Sequence, residues 1–289
     1  MDQMSKLKKI IPYSCQYIDQ EDLKDVKEIL FSKFLTQGPK VNEFESEISN
    51  YVKSKYSVAC NSATSALHLG CLALGIDKND IVWTVPNSFV ASANCALYCG
   101  ANIDFVDIDP LTRNISLEIL SEKLDHAKLK NKLPRLIIPV HFSGNPVDMA
   151  ALNKIVKKFG DIKIIEDASH ALGAKINDEF VGSCKNSDLT VFSFHPVKMI
   201  TTAEGGMITT NNKNLYQRLL NLRSHGIERK NDKFKLNYEI NNHPIYYEQQ
   251  ELGFNYRMPD LLATLGISQL KKLNFFLAKR NEIANFTQK

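Results

Sequence analysis

The sequence predicts an α/β fold in which a mixed, mostly parallel β-sheet lies between layers of helices. From Tyr56 onward, short runs rich in β-branched and aromatic residues alternate with segments whose apolar residues recur every three or four positions. Several helical segments end in glycine, as at Gly75 and Gly100. This alternation favours parallel strands joined by crossover helices, because two neighbouring parallel strands cannot be connected by a tight turn.

Each element follows from a local pattern in chain order. Two amphipathic helices are predicted before the first strand, at residues 19–34 and 41–53, with Gly38-Pro39 between them. Strands are predicted at residues 56–60, 81–85, 103–106, 136–140, 162–165, 189–192 and 207–210. Further helices are predicted at residues 63–74, 88–98, 117–126, 149–159, 215–223 and 259–286, the last interrupted near Asn274. The polar stretch 228–243 lacks periodicity and is predicted to be a loop.

Composition and charge argue against nucleic-acid binding. The formal net charge is only +4 over 289 residues. The lysine-rich segments 128–132 and 154–158 fall within helical patterns, where solvated helix faces explain them better than a nucleic-acid surface. A chain of this length can bury a sizeable core, as one large domain or two small ones.

The cysteines and the N-terminus indicate a cytoplasmic protein that does not bind a membrane. The six cysteines show no paired C-x-x-C spacing, and Cys60, Cys71, Cys95 and Cys99 lie in apolar contexts. We expect them to be small core residues in a reducing compartment rather than metal ligands. Residues 1–13 contain lysines but lack the apolar stretch of a signal peptide, and no apolar run has membrane-spanning length.

Two residues at predicted strand ends indicate the chemistry. Asp167 follows an apolar strand, and Lys198 lies in the apolar segment Pro196–Thr202. A desolvated carboxylate pairs strongly with a protonated ring nitrogen, and desolvation makes a lysine amine available to form an imine. Together the two residues predict a pyridoxal 5'-phosphate (PLP) pocket. Taken singly, Asp167 could be a structural capping residue and Lys198 a surface lysine.

A phosphate site is predicted where the first strand gives way to a helix. The N–H groups at the start of that helix and the Ser62 and Thr64 hydroxyls suit a phosphate monoester, although an ordinary N-cap is the alternative. The Ser193 hydroxyl could also reach the phosphate.

Two ring side chains complete the predicted pocket. Phe89 is a candidate to stack on the pyridine ring, and His170 could hydrogen-bond Asp167 or the ring oxygen. The alternatives are a core aromatic residue and a core histidine.

These segments resemble the DegT-type sugar-nucleotide aminotransferases, which have the aspartate aminotransferase fold (fold type I). The matching segments are NSATSALHLG, PNSFVASAN, IIEDASHALGA, FSFHPVKMITTAEGG, LRSHGI and YYEQQELGFNYRMPD. Within the family, FSFHPVK and YYEQQELGFNYRM are most similar to the pseudaminic acid branch. The resemblance implies transfer of an amino group from glutamate to C4 of a UDP-linked 4-keto-6-deoxy-N-acetylhexosamine.

The resemblance also assigns roles to individual residues. It implies that Lys198 is the Schiff-base lysine, that Asp167 pairs with the ring nitrogen and that Phe89 stacks on the ring. It makes phosphate contacts of Ala63, Thr64 and Ser193. Asn255 would reach the phosphate of a neighbouring subunit, so the resemblance implies a homodimer with shared active sites. Dehydrase relatives carry histidine in place of the lysine, so Lys198 favours transamination.

The resemblance divides the chain into three parts. Residues 1–35 are expected to form an N-terminal helical segment, residues 36–260 the large PLP-binding domain, and residues 261–289 helices leading to a C-terminal small domain that is largely missing. The alternative function is therefore a catalytically impaired homologue that binds PLP or dimerises without turnover. A cysteine desulfurase is disfavoured, because no cysteine lies in a polar, glycine-rich loop.

Overall fold

A computed structural model describes residues 14–236, 243 and 245–287. Its helices are α1 Gln20–Leu30, α2 Pro39–Val52, α3 Ala63–Ala73, α4 Ala91–Tyr98, α5 Leu117–Leu129, α6 Met149–Val156, α7 Lys213–Arg223, α8 Asp260–Lys271 and α9 Leu273–Thr287. Its strands are β1 Tyr56–Cys60, β2 Ile81–Thr84, β3 Asn102–Phe105, β4 Leu136–Ile137, β5 Lys163–Asp167, β6 Lys175–Ile176, β7 Glu179–Phe180, β8 Leu189–Ser193, β9 Gly206–Thr210, β10 Ile227–Glu228 and β11 Glu248–Gln249. Of the predicted N-terminal segment, residues 1–13 lie outside the described residues. Residues 237–242 of the predicted 228–243 loop also lie outside them.

The central sheet has seven strands in the order β1-β9-β8-β5-β4-β2-β3. The strands from β3 to β8 pair in parallel, whereas β9 runs antiparallel to both β8 and β1. The prediction of a mixed, mostly parallel sheet is confirmed. Because β9 alone is reversed, the carboxyl ends of β1, β5 and β8 all reach the same edge of the sheet.

Helices cover both faces of the sheet. On one face, Val58, Ile165 and Val191 pack with residues of α3, α4 and α7. On the other face, apolar residues of α2 and α8 pack near β8 and β9, and those of α5 and α6 pack near β2, β4 and β5. Alternate residues of each strand point to opposite faces, so strands buried on both sides read as nearly continuous apolar runs.

Side chains at the helix starts fix where most of these helices begin. Asp19 and Ser62 form capping boxes at α1 and α3. Ser116, Asp148 and Asn212 accept hydrogen bonds from backbone N–H groups at the starts of α5, α6 and α7. These acceptors satisfy N–H groups that have no partner within the helix.

The structure differs from the prediction where periodicity is weak. Helix α4 begins at Ala91 rather than at residue 88, because residues 87–90 form a turn, and α1 ends at Leu30 rather than at residue 34. The β6-β7 and β10-β11 pairs were not predicted. Two-residue strands are too short to show an alternating pattern.

The prediction that the cysteines are core residues is confirmed for Cys60, Cys71 and Cys95, which are buried, whereas Cys99 is only half-buried. Within the described ranges, no helix is both long enough and apolar enough to span a membrane.

Candidate active site

A cavity of about 450 Å³ opens at the edge of the sheet where β1, β5 and β8 end. Almost every site residue predicted from the sequence lines it: Ser62, Ala63, Thr64, Phe89, Asp167, His170, Ser193 and Lys198. The exception is Asn255. Ligands of open α/β sheets bind at the carboxyl ends of strands, which is where this cavity lies.

Asp167 is the last residue of β5 and is 4% exposed. The segment after β4 holds its backbone, because the Asp167 N–H donates to the Pro139 carbonyl (2.9 Å) and the Asp167 carbonyl accepts from the His141 N–H (3.1 Å). Its carboxylate accepts from the Ser92 hydroxyl (2.5 Å, at Oδ2) and from the Ser169 N–H (3.1 Å, at Oδ1). The carboxylate is thus held in one orientation at the cavity wall.

Ser92 is a site residue that sequence reasoning missed. It is fully buried on α4, and its hydroxyl lies 2.7 Å from that of Ser88, which lines the cavity. The four-residue spacing of Ser88 and Ser92 was visible in the sequence, but Asp167, the partner of Ser92, lies 75 residues away.

A buried polar network that was also missed lies beside Asp167. Glu166 is 4% exposed, and its carboxylate accepts from His141 Nε2 (2.9 Å), Thr190 Oγ1 (2.9 Å) and the Ser187 hydroxyl. Burial disfavours its charge, but these hydrogen bonds outweigh that penalty and lower the pKa of Glu166.

Lys198 lies in the turn after β8 and is half-buried. The backbone N–H of Lys198 donates to the His195 carbonyl (2.9 Å), and its backbone carbonyl accepts from Arg280 Nη2 on α9 (3.0 Å). Burial lowers the pKa of the Lys198 amine, while the negative charge of Asp167 acts in the opposite direction. Burial and the nearby Lys198 charge also lower the pKa of His170. Burial therefore weakens the charged forms of both the amine and the imidazole relative to their ordinary state in water.

The start of α3 forms a cradle for an anion. The Ser62 hydroxyl is the N-cap: it accepts from the Ser65 N–H (3.1 Å), and Ser65 Oγ accepts from the Ser62 N–H (3.1 Å). The N–H groups of Ala63 and Thr64 have no hydrogen-bond partner in the described part of the chain. Free N–H groups at a helix start suit a phosphate.

Gly206 of β9 lets this cradle lie against the sheet. A β-carbon at Gly206 would lie 2.5 Å from the Ser62 carbonyl oxygen and 2.6 Å from the Ala63 nitrogen. Only glycine permits this close approach of the two backbones.

Phe89 and Ser193 lie at different depths of the cavity. Phe89 is 75% exposed in the turn before α4, which rules out its alternative as a core aromatic residue. Ser193 ends β8 and is half-buried, and its hydroxyl accepts a long hydrogen bond from the His195 N–H (3.5 Å).

Asn255 lies outside the cavity of its own chain. It is exposed and pairs with Ser224 through an isolated β-bridge, so its side chain is available to a neighbouring molecule.

The residues present fit PLP. A buried carboxylate, an amine of lowered pKa and unpartnered helix N–H groups surround one cavity, with an exposed aromatic ring at its wall. These are the groups that a pyridinium nitrogen, an aldehyde, a phosphate and a planar ring require.

Comparison with known proteins agrees with this geometry. The chain is 43% identical over 288 residues to the UDP-4-amino-4,6-dideoxy-N-acetyl-beta-L-altrosamine transaminase of Campylobacter jejuni, covering 97% of this chain and 69% of that protein. It is 37% identical over 284 residues to the spore coat polysaccharide biosynthesis protein SpsC of Bacillus subtilis, with the same coverage of each chain.

Among solved structures, the aminotransferase PseC of Helicobacter pylori, involved in the biosynthesis of pseudoaminic acid, matches with a TM-score of 0.80 and 35% identity, covering 94% of this chain and 68% of that one. The PLP form of the putative sugar aminotransferase Spr1654 of Streptococcus pneumoniae matches with a TM-score of 0.83 and 28% identity, covering 95% and 70%. The model of the DegT/DnrJ/EryC1/StrS aminotransferase family matches residues 16–289. With this match over nearly its whole length, the chain belongs to the DegT/DnrJ/EryC1/StrS aminotransferase family.

Proposed function

We propose that this PLP-dependent aminotransferase moves an amino group from glutamate to C4 of a UDP-linked 4-keto-6-deoxy-N-acetylhexosamine. The observation that carries the proposal is the placement of the Asp167 carboxylate and the Lys198 amine on one cavity. The relative from Campylobacter jejuni, named for a transaminase of this sugar type, supports the choice of substrate. An impaired homologue is not favoured, because both residues are present and face the same space.

Asp167 would hold the cofactor's ring nitrogen in its protonated form. When bound, PLP supplies an electron sink for the charge that develops at the donor Cα. Its ring nitrogen must remain protonated for this purpose, and a buried carboxylate that accepts the N–H stabilises that form. The buried position of Asp167 and its two protein donors suit it to this role.

Lys198 would move the proton. Its lowered pKa makes a neutral amine more available, and a neutral amine can take a proton from the donor Cα and deliver it elsewhere. The Arg280 and His195 contacts to its backbone limit where the amine can reach. His170 lies on the same wall and would hydrogen-bond a polar group of the bound ring.

The start of α3 would bind the phosphate. Ala63 and Thr64 would donate their N–H groups, and the Thr64 and Ser193 hydroxyls would complete the contacts, whereas Ser62 would act through its capping of the helix. Phe89 would cover one face of the ring.

We infer that two copies of the chain share their active sites. Asn255 is exposed and absent from the cavity of its own chain, which suits a residue that reaches the phosphate bound to a neighbour. We also propose that residues 36–260 form the PLP-binding unit, with α1 on its N-terminal side and α9 on its C-terminal side.

The absorption spectrum of the purified chain with PLP tests the proposal. We expect a visible band from lysine-bound cofactor that disappears when glutamate is added and that is absent in Lys198→Ala. UDP-linked 4-keto sugars should then restore the band. A band that glutamate leaves unchanged would contradict the aminotransferase function. 2-Oxoglutarate should restore the band by reversing the reaction with glutamate, so restoration by 2-oxoglutarate but by none of the keto sugars would contradict the sugar substrate.

A further inference from the structure

The Ser92 hydroxyl is committed to the carboxylate of Asp167. Its Oγ lies 2.5 Å from Asp167 Oδ2, and Ser92 is fully buried. An ionised carboxylate can only accept hydrogen bonds, so the serine must donate. A hydrogen bond of this length to an ionised oxygen belongs to the strong, charge-assisted class.

This commitment fixes the direction of a second hydrogen bond. The Ser88 and Ser92 hydroxyls lie 2.7 Å apart, and this distance alone would allow either hydroxyl to donate. Because the Ser92 proton points to Asp167, Ser88 must donate to Ser92. The two hydroxyls therefore form a chain that runs from the cavity wall to the carboxylate, and each hydrogen bond polarises the next.

The two protein donors restrain the plane of the Asp167 carboxylate. Ser92 holds Oδ2, and the Ser169 N–H holds Oδ1 at 3.1 Å. The terminal torsion of an aspartate is otherwise broad, so without Ser92 the carboxylate could rotate around the single remaining contact. A ring N–H requires a lone pair at a fixed place and angle.

A purely local explanation does not account for the serine. Serines inside helices usually bond to a carbonyl four residues earlier or cap the helix start, whereas Ser92 donates across to another element. Its neighbours Ala91 and Ala93 are alanines, and an alanine at residue 92 would suit the helix better. Burying a hydroxyl is unfavourable unless it makes a hydrogen bond, which here is the bond to Asp167.

We propose that Ser92, supported by Ser88, is a positioning residue that orients the Asp167 carboxylate toward the ring nitrogen of PLP. The inference rests on the ring-nitrogen role that the proposed function gives to Asp167.

The test compares Ser92→Ala with Ser92→Thr, which keeps a hydroxyl, and with Ser88→Ala. Asp167→Asn is the reference for loss of the ring contact. Ser183→Ala is the matched control, because Ser183 is another buried serine that donates to a carboxylate, Glu179, away from this cavity. The readouts are PLP affinity, the absorbance of bound PLP against pH, the single-turnover rate with glutamate and urea unfolding without PLP.

We expect Ser92→Ala to lower the single-turnover rate by about 10- to 100-fold, the effect of losing one hydrogen bond to a charged group, with little change in the glutamate concentration giving half-maximal rate. The visible absorbance of lysine-bound PLP reports protonation of its imine nitrogen, and its pH midpoint should move to higher pH, because a ring nitrogen that is protonated less repels the imine proton less. Ser88→Ala should move both readouts in the same direction by less, and Ser92→Thr should restore them.

Each other outcome is decisive. If Asp167→Asn changes the rate and the pH midpoint but Ser92→Ala and Ser88→Ala do not, the inference fails and the proposed function stands. If Asp167→Asn itself leaves both unchanged, the role of Asp167 fails first. A Ser92→Ala protein that only unfolds more easily, as Ser183→Ala does, would make the serine merely structural. Should Ser92→Ala not fold, Ser88→Ala decides by the same pH midpoint.

Discussion

Glu166 and Asp167 are consecutive carboxylates on β5 whose side chains have separate partners. The Asp167 side chain lines the cavity, whereas the Glu166 carboxylate binds the buried His141. The Val147 N–H donates to His141 Nδ1 (2.9 Å), so the proton of the imidazole is on Nε2, from which it is donated to Glu166. Glu166 is therefore the acceptor in this pair.

Replacement of Glu166 by glutamine should destabilise the protein. The glutamine amide would place N–H groups against donors, because His141, Ser187 and Thr190 all donate to this position. We expect the free energy of unfolding in urea at neutral pH to fall by about 2–3 kcal/mol, a typical value for hydrogen bonds to a charged group. Glu122→Gln, at an exposed helical position, is the control and should change it little.

The same substitution predicts a pH dependence. The pKa of Glu166 is lowered in the folded protein, so its contribution is present above its ordinary value of 4.5 and is lost as the pH falls through the folded pKa. The stability difference between wild type and Glu166→Gln should therefore shrink as the pH is lowered below that value. A difference that stays constant to strongly acidic pH would contradict a charged Glu166.

Sequence reasoning at the residue scale succeeded where the neighbours along the chain carry the signal. Asp167 and Lys198 could be predicted because each lies in or after an apolar run that desolvates it. Ser92 and His141 could not, because their partners lie 75 and 25 residues away and only the sheet topology joins them.

At the scale of elements, one buried carboxylate joins the starts of two helices. Gly38, the N-cap of α2, has no side chain to cap the helix, and Asp260 at the start of α8 takes that role. Asp260 is fully buried and accepts from the Gly38 N–H (2.7 Å) and the Lys40 N–H (2.8 Å). The negative charge also suits the positive ends of both helix dipoles.

Asp260→Ala should therefore lower stability strongly. Two half-buried N–H groups at the start of α2 would lose their acceptor, and we expect a loss of about 2–4 kcal/mol in the free energy of unfolding. Asp260→Asn keeps one acceptor oxygen and should lose less. Urea unfolding followed by circular dichroism measures both, and equal losses for the two variants would contradict the capping role.

Substitution of Gly206 by alanine should disturb the phosphate cradle locally. A methyl group at this position would meet backbone atoms of Ser62 and Ala63, which cannot move without shifting the start of α3. In Gly206→Ala, overpacking should cost about 1–3 kcal/mol of free energy, and we expect PLP binding to weaken by about 10- to 100-fold. Gly70→Ala is the control, because its β-carbon would meet only methyl groups of Ile165 and Leu189. Fluorescence titration with PLP measures the affinities, and equal affinities would contradict a cradle at α3.

Element boundaries were predictable where caps or apolar periodicity mark them. Strand β1 and the start of α3 match the prediction at Tyr56, Cys60 and Ala63. The start of α4 was misplaced, because the turn at residues 87–90 has a sequence that could also begin a helix. Tertiary contacts of this turn, such as the bond from the Asn87 side chain to the Arg113 carbonyl, decide its conformation.

For the whole molecule, the sequence predicted the layers but not the order of the strands. The apolar run of β9 reads like that of any buried strand, and its antiparallel insertion between β1 and β8 depends on how the chain returns through residues 194–205. This reversal brings Gly206 to the start of α3 and thereby completes the cavity.

The proposed sharing of sites between two copies predicts complementation. Lys198 lines the cavity of its own chain, whereas Asn255 is exposed and does not. A Lys198→Ala chain paired with an Asn255→Ala chain would form one site with both residues intact and one with neither. Random assembly of equal amounts should restore about a quarter of the wild-type rate, since half of the dimers are hybrids with one working site.

Conversion of bound PLP by glutamate, at a PLP concentration that leaves Asn255→Ala largely unloaded, measures the restored rate. Each variant alone should be nearly inactive, and gel filtration should give the mass of a dimer for both. Lys198→Ala mixed with Asp167→Asn is the control, because both residues line the same cavity and their hybrid restores no complete site. Rate recovery in neither mixture, with dimers present, would instead assign Asn255 to the site of its own chain.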